Sequence, residues 1–208
     1  MEDLLAAVRA ATGQQASAEA RRQFRAYLDL FLRWNRIHRM TALDSPTAII
    51  RELFIDSMFF LVAMPPDAET VVDLGAGAGI PGLPMRLARP AIRLTLVEAK
   101  RKRTSFLRAA CRELGLADVR VIEGRAEAVI DREAGLTAAF DVAVARAVGA
   151  PETLRQLAVP YLKPQSILLI SGTPGDLASP GYADFEEVRV DLPGSSRSRR
   201  LLRSRKGS

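Results

Sequence analysis

The stretch "VVDLGAGAGIPG", residues 71–82, places Gly75, Gly77, Gly79 and Gly82 close together behind an aspartate and around a proline. Glycine at that density is more than loop punctuation, because each one permits backbone conformations that a Cβ disfavours. The apolar run "TVVDL" that leads in reads as a short buried strand, and "PGLPMRLA" after it can open a helix. A strand, a tight glycine turn and a helix start make a nucleotide-binding corner at the edge of an α/β sheet.

Two registers compete within it. Gly77, Gly79 and Gly82 match the dinucleotide fingerprint, whereas Gly75, Gly77 and Gly79 behind Asp73 match the turn of S-adenosylmethionine enzymes. A pyrophosphate needs free backbone N–H groups at the helix start, and Pro81 removes one there. A ligand without phosphates does not miss it. S-adenosylmethionine carries a sulfonium, an amino-acid head and a ribose, and Asp73 at the strand end can serve it directly or through water. Glu98, which closes "IRLTLVE", can accept both ribose hydroxyls, a contact shared by the methyl donor and NAD. Ala126 and Glu127 in "GRAEAV" follow the third strand, where an adenine edge could be read. An NAD(P)-dependent oxidoreductase stays the alternative on these residues alone.

Outward from this corner the pattern is that of an α/β protein. Strands at 70–74, 92–98, 118–123, 140–145 and 165–171 alternate with helical segments at 81–88, 101–115 and 150–161. That alternation implies parallel pairing with right-handed crossovers. "DFEEVRVDLP" and "SRRLLRSRK" read as an antiparallel hairpin. Before the sheet, residues 17–38 form one long amphipathic helix, and a second begins at Pro46 and runs through Met64. The expected organisation is a helical cap at 1–65 and a Rossmann-like unit at 66–208.

With 208 residues and a 48% hydrophobic fraction, the chain can bury a sizeable core. No window reaches the roughly 18 apolar residues of a membrane span, and the N-terminus lacks the basic-then-apolar order of a secretory signal. The single Cys111 sits in a helical pattern and reads as a buried core thiol, so a reducing cytoplasm is the expected setting. Thirty Lys and Arg against twenty-four Asp and Glu give +6. The surplus gathers in three runs: Arg21 to Arg39, "KRKR" at 100–103 with Arg108 and Arg112, and "SRSRRLLRSRK" at 196–206. Each alone is an ordinary solvated face; three in one small chain point to nucleic acid. Trp34 and Phe106 could stack on a base, but their helical spacing reads as core. No Cys/His set has metal-ligand spacing, and no Ser/His/Asp set marks a hydrolase.

With these residues in hand, the chain resembles the bacterial small-subunit ribosomal RNA guanine-N7 methyltransferases, the family once called glucose-inhibited division protein B. "VVDLGAGAGIPGLP" is similar to the family's Asp-x-Gly-x-Gly-x-Gly turn followed by Pro-Gly-x-Pro. "RWNRIHRMTAL", "LFIDSM", "VEAKRKRTSFLR", "FDVAVARAV" and the closing "LPGSSRSRRLLRSRK" resemble further family segments. The resemblance implies a class I S-adenosylmethionine-dependent methyltransferase fold. It also implies 16S ribosomal RNA or a small-subunit assembly intermediate as partner, and a monomer without membrane association. Cofactor contacts are implied for Gly75, Ile80, Ala126, Glu127 and Arg146, with Arg146 also the candidate catalytic residue. Arg39, Lys100, Lys102 and Arg103 are candidate RNA contacts. Three departures, Arg39-Met40 before Thr41, Leu53 in place of a histidine, and Ser171-Gly172 in place of Lys-Gly, are expected on the RNA-facing side. They leave open a diverged paralogue with another RNA target; an RNA-binding module that has lost catalysis is a separate alternative.

Overall fold

In the computed structural model, which describes residues 1–146, 149–171, 183–194 and 196–207, the alternating segments join one seven-stranded sheet. The strands are β1 (Thr70–Leu74), β2 (Arg93–Glu98), β3 (Arg120–Glu123), β4 (Phe140–Arg146), β5 (Leu162–Ser171), β6 (Glu186–Asp191) and β7 (Ser198–Arg205). Their order is β3-β2-β1-β4-β5-β7-β6. The first five pair in parallel, and β7 runs antiparallel to both β5 and β6. Residue 172, the second half of one departure, lies outside the described residues.

Side-chain alternation divides the core into two layers. Val71, Leu94, Leu96, Val142, Val144 and Leu169 face one side, where they meet α1 (Glu2–Thr12), α2 (Ala18–His38), α4 (Ile55–Ala63), α5 (Gly82–Ala88) and α6 (Arg101–Glu113). Val72, Leu74, Ala143, Ala145 and Leu168 face the other, under α7 (Ala126–Arg132) and α8 (Pro151–Ala158). Residues 1–65 thus share a continuous core with one face of the sheet.

The first long helix starts where Ser17 accepts a bond from the Ala20 N–H at 3.0 Å, a real cap despite the absence of a capping box. At its other end Asn35 accepts from the Thr41 N–H at 2.9 Å and donates to the Leu43 carbonyl at 2.8 Å, which staples the following turn. The helix expected from Pro46 to Met64 is instead a short α3 (Pro46–Ile49), a π-helical turn (Ile50–Phe54) and α4. Arg51 and Glu52 in the turn are exposed, but every residue from Leu53 to Leu61 is buried, so side-chain periodicity beyond the turn gives no sign of the break.

Asp141 fastens β1, β4 and β5 together. Its carboxylate accepts from the Glu69 and Thr70 N–H groups, the Thr70 hydroxyl and the Lys163 ammonium at 2.6–3.0 Å. Burial pushes this carboxyl up, but the Lys163 bond and the Thr70 and Glu69 donors outweigh it and hold it well below the usual carboxylate range. A depressed carboxyl stabilises the fold above the unfolded value of about 4 and loses that contribution as pH falls. Asp141→Ala is therefore expected to cost about 2–3 kcal/mol at neutral pH. In urea titrations the deficit should shrink as pH falls below about 4.

Candidate active site

The chain winds outward from β1 to β2 and β3, then returns to the other side of β1 to form β4 and β5. In such sheets ligands bind beyond the strand ends at this reversal. Asp73 pairs with Val144 across the reversal, so Arg146 stands at the level of Gly75. Glu98 closes β2 alongside, and Ala126 opens the helix after β3.

The glycine turn commits its own donors. The Gly75 and Ala76 N–H groups go to the Val97 carbonyl at 2.9 and 3.0 Å, and those of Gly79 and Ile80 to the Ala76 carbonyl at 2.7 and 3.2 Å. The Gly77 N–H goes to Glu98 Oε2 at 2.8 Å and the Gly82 N–H to Asp73 Oδ2 at 2.9 Å. Pro81 has none to give. Pyrophosphate binding at a helix start depends on such groups being free, and here the six just named are already engaged. Gly75, Gly77 and Gly79 take φ of 73°, 60° and 81°, the left-handed region that glycine reaches at no steric cost. Tyr27, buried on α2 and stacked on Phe54 at 4.9 Å, donates its hydroxyl to the Ala78 carbonyl and ties the N-terminal segment to the turn.

Two carboxylates flank this backbone. Glu98 is 4% exposed, and its second oxygen accepts from the Lys100 N–H at 2.7 Å. Pinned by two N–H groups, it keeps lone pairs that vicinal hydroxyls could use. Asp73 is fully buried beneath the turn, so any influence on a ligand passes through the backbone it holds or through its charge. Among the described residues its Oδ1 has no hydrogen-bond partner. Burial is the main force on this carboxyl, opposed by the Gly82 bond and reinforced by Glu98, and it is pushed up to about 7. An enclosed acid without a full set of donors suits a cationic neighbour. Together with the consumed N–H groups and the open side of Gly77, where an added Cβ would meet nothing nearer than 3.8 Å, these residues fit a sulfonium-bearing nucleoside.

The other candidates separate by place. Ile80 is 8% exposed and Gly75 half-buried within the turn. Ala126 accepts from the Tyr161 hydroxyl at 2.6 Å, whereas Glu127 is exposed beside Arg125. Arg39, Lys100 and Lys102 are exposed. Arg103, grouped by sequence with the RNA contacts, leans instead over Gly77, with its Nη1 3.9 Å from Glu98 Oε2. Two departures expected to face RNA do not: Leu53 is 5% and Ser171 3% exposed, because both pack into the interior. Phe106 is fully buried against Trp34, and Cys111 is buried too, as their helical spacing predicts. The sequence reading gave no role to Asp56, a buried carboxylate in "LFIDSM" that receives the Arg146 guanidinium. Among the described residues no helix is long and apolar enough to cross a membrane.

A family model described as rRNA small subunit methyltransferase G matches residues 20–173. The ribosomal RNA small subunit methyltransferase G of Lactococcus lactis is 31% identical over 92% of this chain and 86% of its own. Its counterpart in Neisseria gonorrhoeae is 42% identical over 59% of this chain, and the match spans 58% of that relative's length. Among solved structures, an O-methyltransferase from Bacillus cereus in complex with SAH superposes with a TM-score of 0.57 at 16% identity, covering 86% of this chain and 90% of its own. A methyltransferase from Geobacter sulfurreducens gives 0.57 at 17%, covering 88% of each. At that identity the likeness is one of fold, and the fold is that of class I methyltransferases.

Proposed function

The chain belongs to the rRNA small subunit methyltransferase G family, and from that premise we propose that it transfers the methyl group of S-adenosylmethionine to N7 of a guanine in 16S ribosomal RNA. The observation that carries the donor half is the glycine turn with six of its N–H groups already engaged, and Glu98 pinned beside it. When bound, S-adenosylmethionine supplies an electrophilic methyl on a sulfonium.

The protein's task is then to orient and to exclude water. Guanine N7 offers an in-plane lone pair and carries no proton, so no general base is needed. The lone histidine, His38, packs at a tilt against Trp34 at the end of α2 and is given no part in the chemistry. Glu98 would hold the ribose hydroxyls, while Gly75, Gly77 and Ile80 shape the wall against which the donor lies. Ala126 and Glu127 would border the adenine, and Arg146 would face donor and base from the far side of the reversal. Rate comes from holding the reacting atoms in line and close. Arg39, Lys100 and Lys102 would take RNA phosphates, a contact that weakens with salt. The reading extends to a monomer acting in the cytoplasm on 16S RNA or an assembly intermediate of the small subunit.

Mapping N7-methylguanine in ribosomal RNA from cells with and without the protein tests this. One guanine of 16S RNA should carry the mark only when the protein is present. Identical maps, or a mark that moves in another RNA, would contradict the proposal.

A further inference from the structure

Asp56 on α4 is only 4% exposed, yet two guanidiniums converge on it. Arg146, closing β4, donates from Nε to Asp56 Oδ2 at 3.2 Å and from Nη2 to the Glu52 carbonyl at 3.0 Å. Arg199 on β7 donates from Nε to Asp56 Oδ1 and makes an ion pair through Nη2. One carboxylate thus joins the N-terminal segment, the parallel sheet and the C-terminal hairpin. Exposed ion pairs are weak because water and side-chain entropy compete with them. Here the carboxylate is buried, although the Arg146 and Arg199 side chains keep 26% and 42% exposure, and without its anion two cations would face each other.

The consequence concerns the site. The Arg146 side chain keeps 26% exposure at the level of Gly75, with two of its three nitrogens already fastened. An arginine on a free stem must be ordered by its ligand, whereas one tied beforehand brings its remaining N–H groups to the crevice pre-set. We propose that Asp56 is a positioning residue for the reaction: it sets the Arg146 guanidinium, and Arg199 holds the carboxylate from the opposite side. The N-terminal segment and the hairpin are therefore parts of the active site, although neither carries a cofactor motif. This rests on Arg146 belonging to the site.

The test is a double-mutant cycle on the full chain, reading kcat and KM for methyl transfer to small-subunit ribosomal RNA from cells lacking the protein. Arg146→Ala should lower kcat/KM by about 100-fold. Asp56→Asn should lower the same parameter by at least about 10-fold, and the double variant should fall within about 2-fold of Arg146→Ala alone. A merely structural Asp56 would lower Tm and multiply the Arg146→Ala loss. Multiplying losses, or a wild-type rate in folded Asp56→Asn, overturns the inference while leaving Arg146 in the site. A wild-type rate in Arg146→Ala overturns the site reading and the inference with it. If Asp56→Asn alone does not fold, Asp56→Asn with Arg199→Gln removes one cation along with the anion. That folded pair at the wild-type rate would overturn the inference; a loss matching Arg146→Ala would support it.

Discussion

Leucine at position 77 is expected to cost the protein its methyl donor and leave its fold standing, whereas alanine at position 79 should do the reverse. Both glycines have positive φ, so any side chain there pays a backbone penalty of about 1–2 kcal/mol. Their surroundings differ. An added Cβ at Gly77 finds only the Arg103 guanidinium and the Gly75 carbonyl, both at 3.8 Å. At Gly79 it would overlap the Leu83 side chain and crowd Leu107 at 3.2 Å, inside the packing of α5 and α6 against the turn. Gly77→Leu should therefore weaken S-adenosylmethionine binding by about 100-fold or more, with Tm lowered by only a few degrees. Gly79→Ala adds overpacking to the backbone strain, about 3 kcal/mol or more, which in a chain of this length lowers Tm by about 10 °C. Calorimetric titration and thermal scans on both variants separate the two effects. A Gly77→Leu protein that binds the donor normally would remove the turn's open face from the site.

Asp73→Asn should stabilise the donor-free protein at alkaline pH and at the same time impair it. The Asp73 carboxyl is held near 7 by burial, against an ordinary value of 3.8. Between those values the folded protein keeps a proton that the unfolded chain has released. Stability therefore falls as pH rises from about 4 to about 7 and is flat above, a loss of up to about 4 kcal/mol. Asparagine carries no charge to bury and can still accept from the Gly82 N–H, so urea midpoints at pH 8 should rise in the variant and match the parent near pH 4. Donor binding should respond oppositely. A cation over the turn favours the ionised carboxylate, so affinity in the parent should tighten as pH rises through about 7. In the variant that pH dependence should vanish, and affinity at pH 8 should drop by at least about 10-fold. Asp73→Ala is harsher, because it also leaves the Gly82 N–H buried without an acceptor.

The sheet was legible because its signals are local. Five parallel strands follow from short apolar runs between helical stretches, the hairpin from two alternating runs around a glycine-serine turn, and the donor corner from glycines behind an acid. What escaped was either short or tertiary. The α7 helix has seven residues and no side-chain cap. The α1 helix carries end signals, Glu2 and Asp3 in its first turn and Gly13 at its C-cap, but spans only 11 residues. The π-helical turn exposes Arg51 and Glu52 but leads straight into a run buried from Leu53 to Leu61, where periodicity is silent. Motif position alone puts Leu53 and Ser171 on the RNA-facing side, and only packing shows that both are buried. Arg103 shares a basic run with Lys100 and Lys102, yet helix phase turns it toward Glu98 while they stay exposed. The Asp56 cluster joins residues 143 positions apart, and no spacing rule connects them.

The corner between β1 and β2 is expected to accept a sulfonium nucleoside in place of a pyrophosphate. Isothermal titration of the purified protein with S-adenosylmethionine, S-adenosylhomocysteine and NADH measures this directly. The prediction is one-to-one binding of both sulfur nucleosides and no heat from NADH; binding of NADH with neither of the others would contradict it.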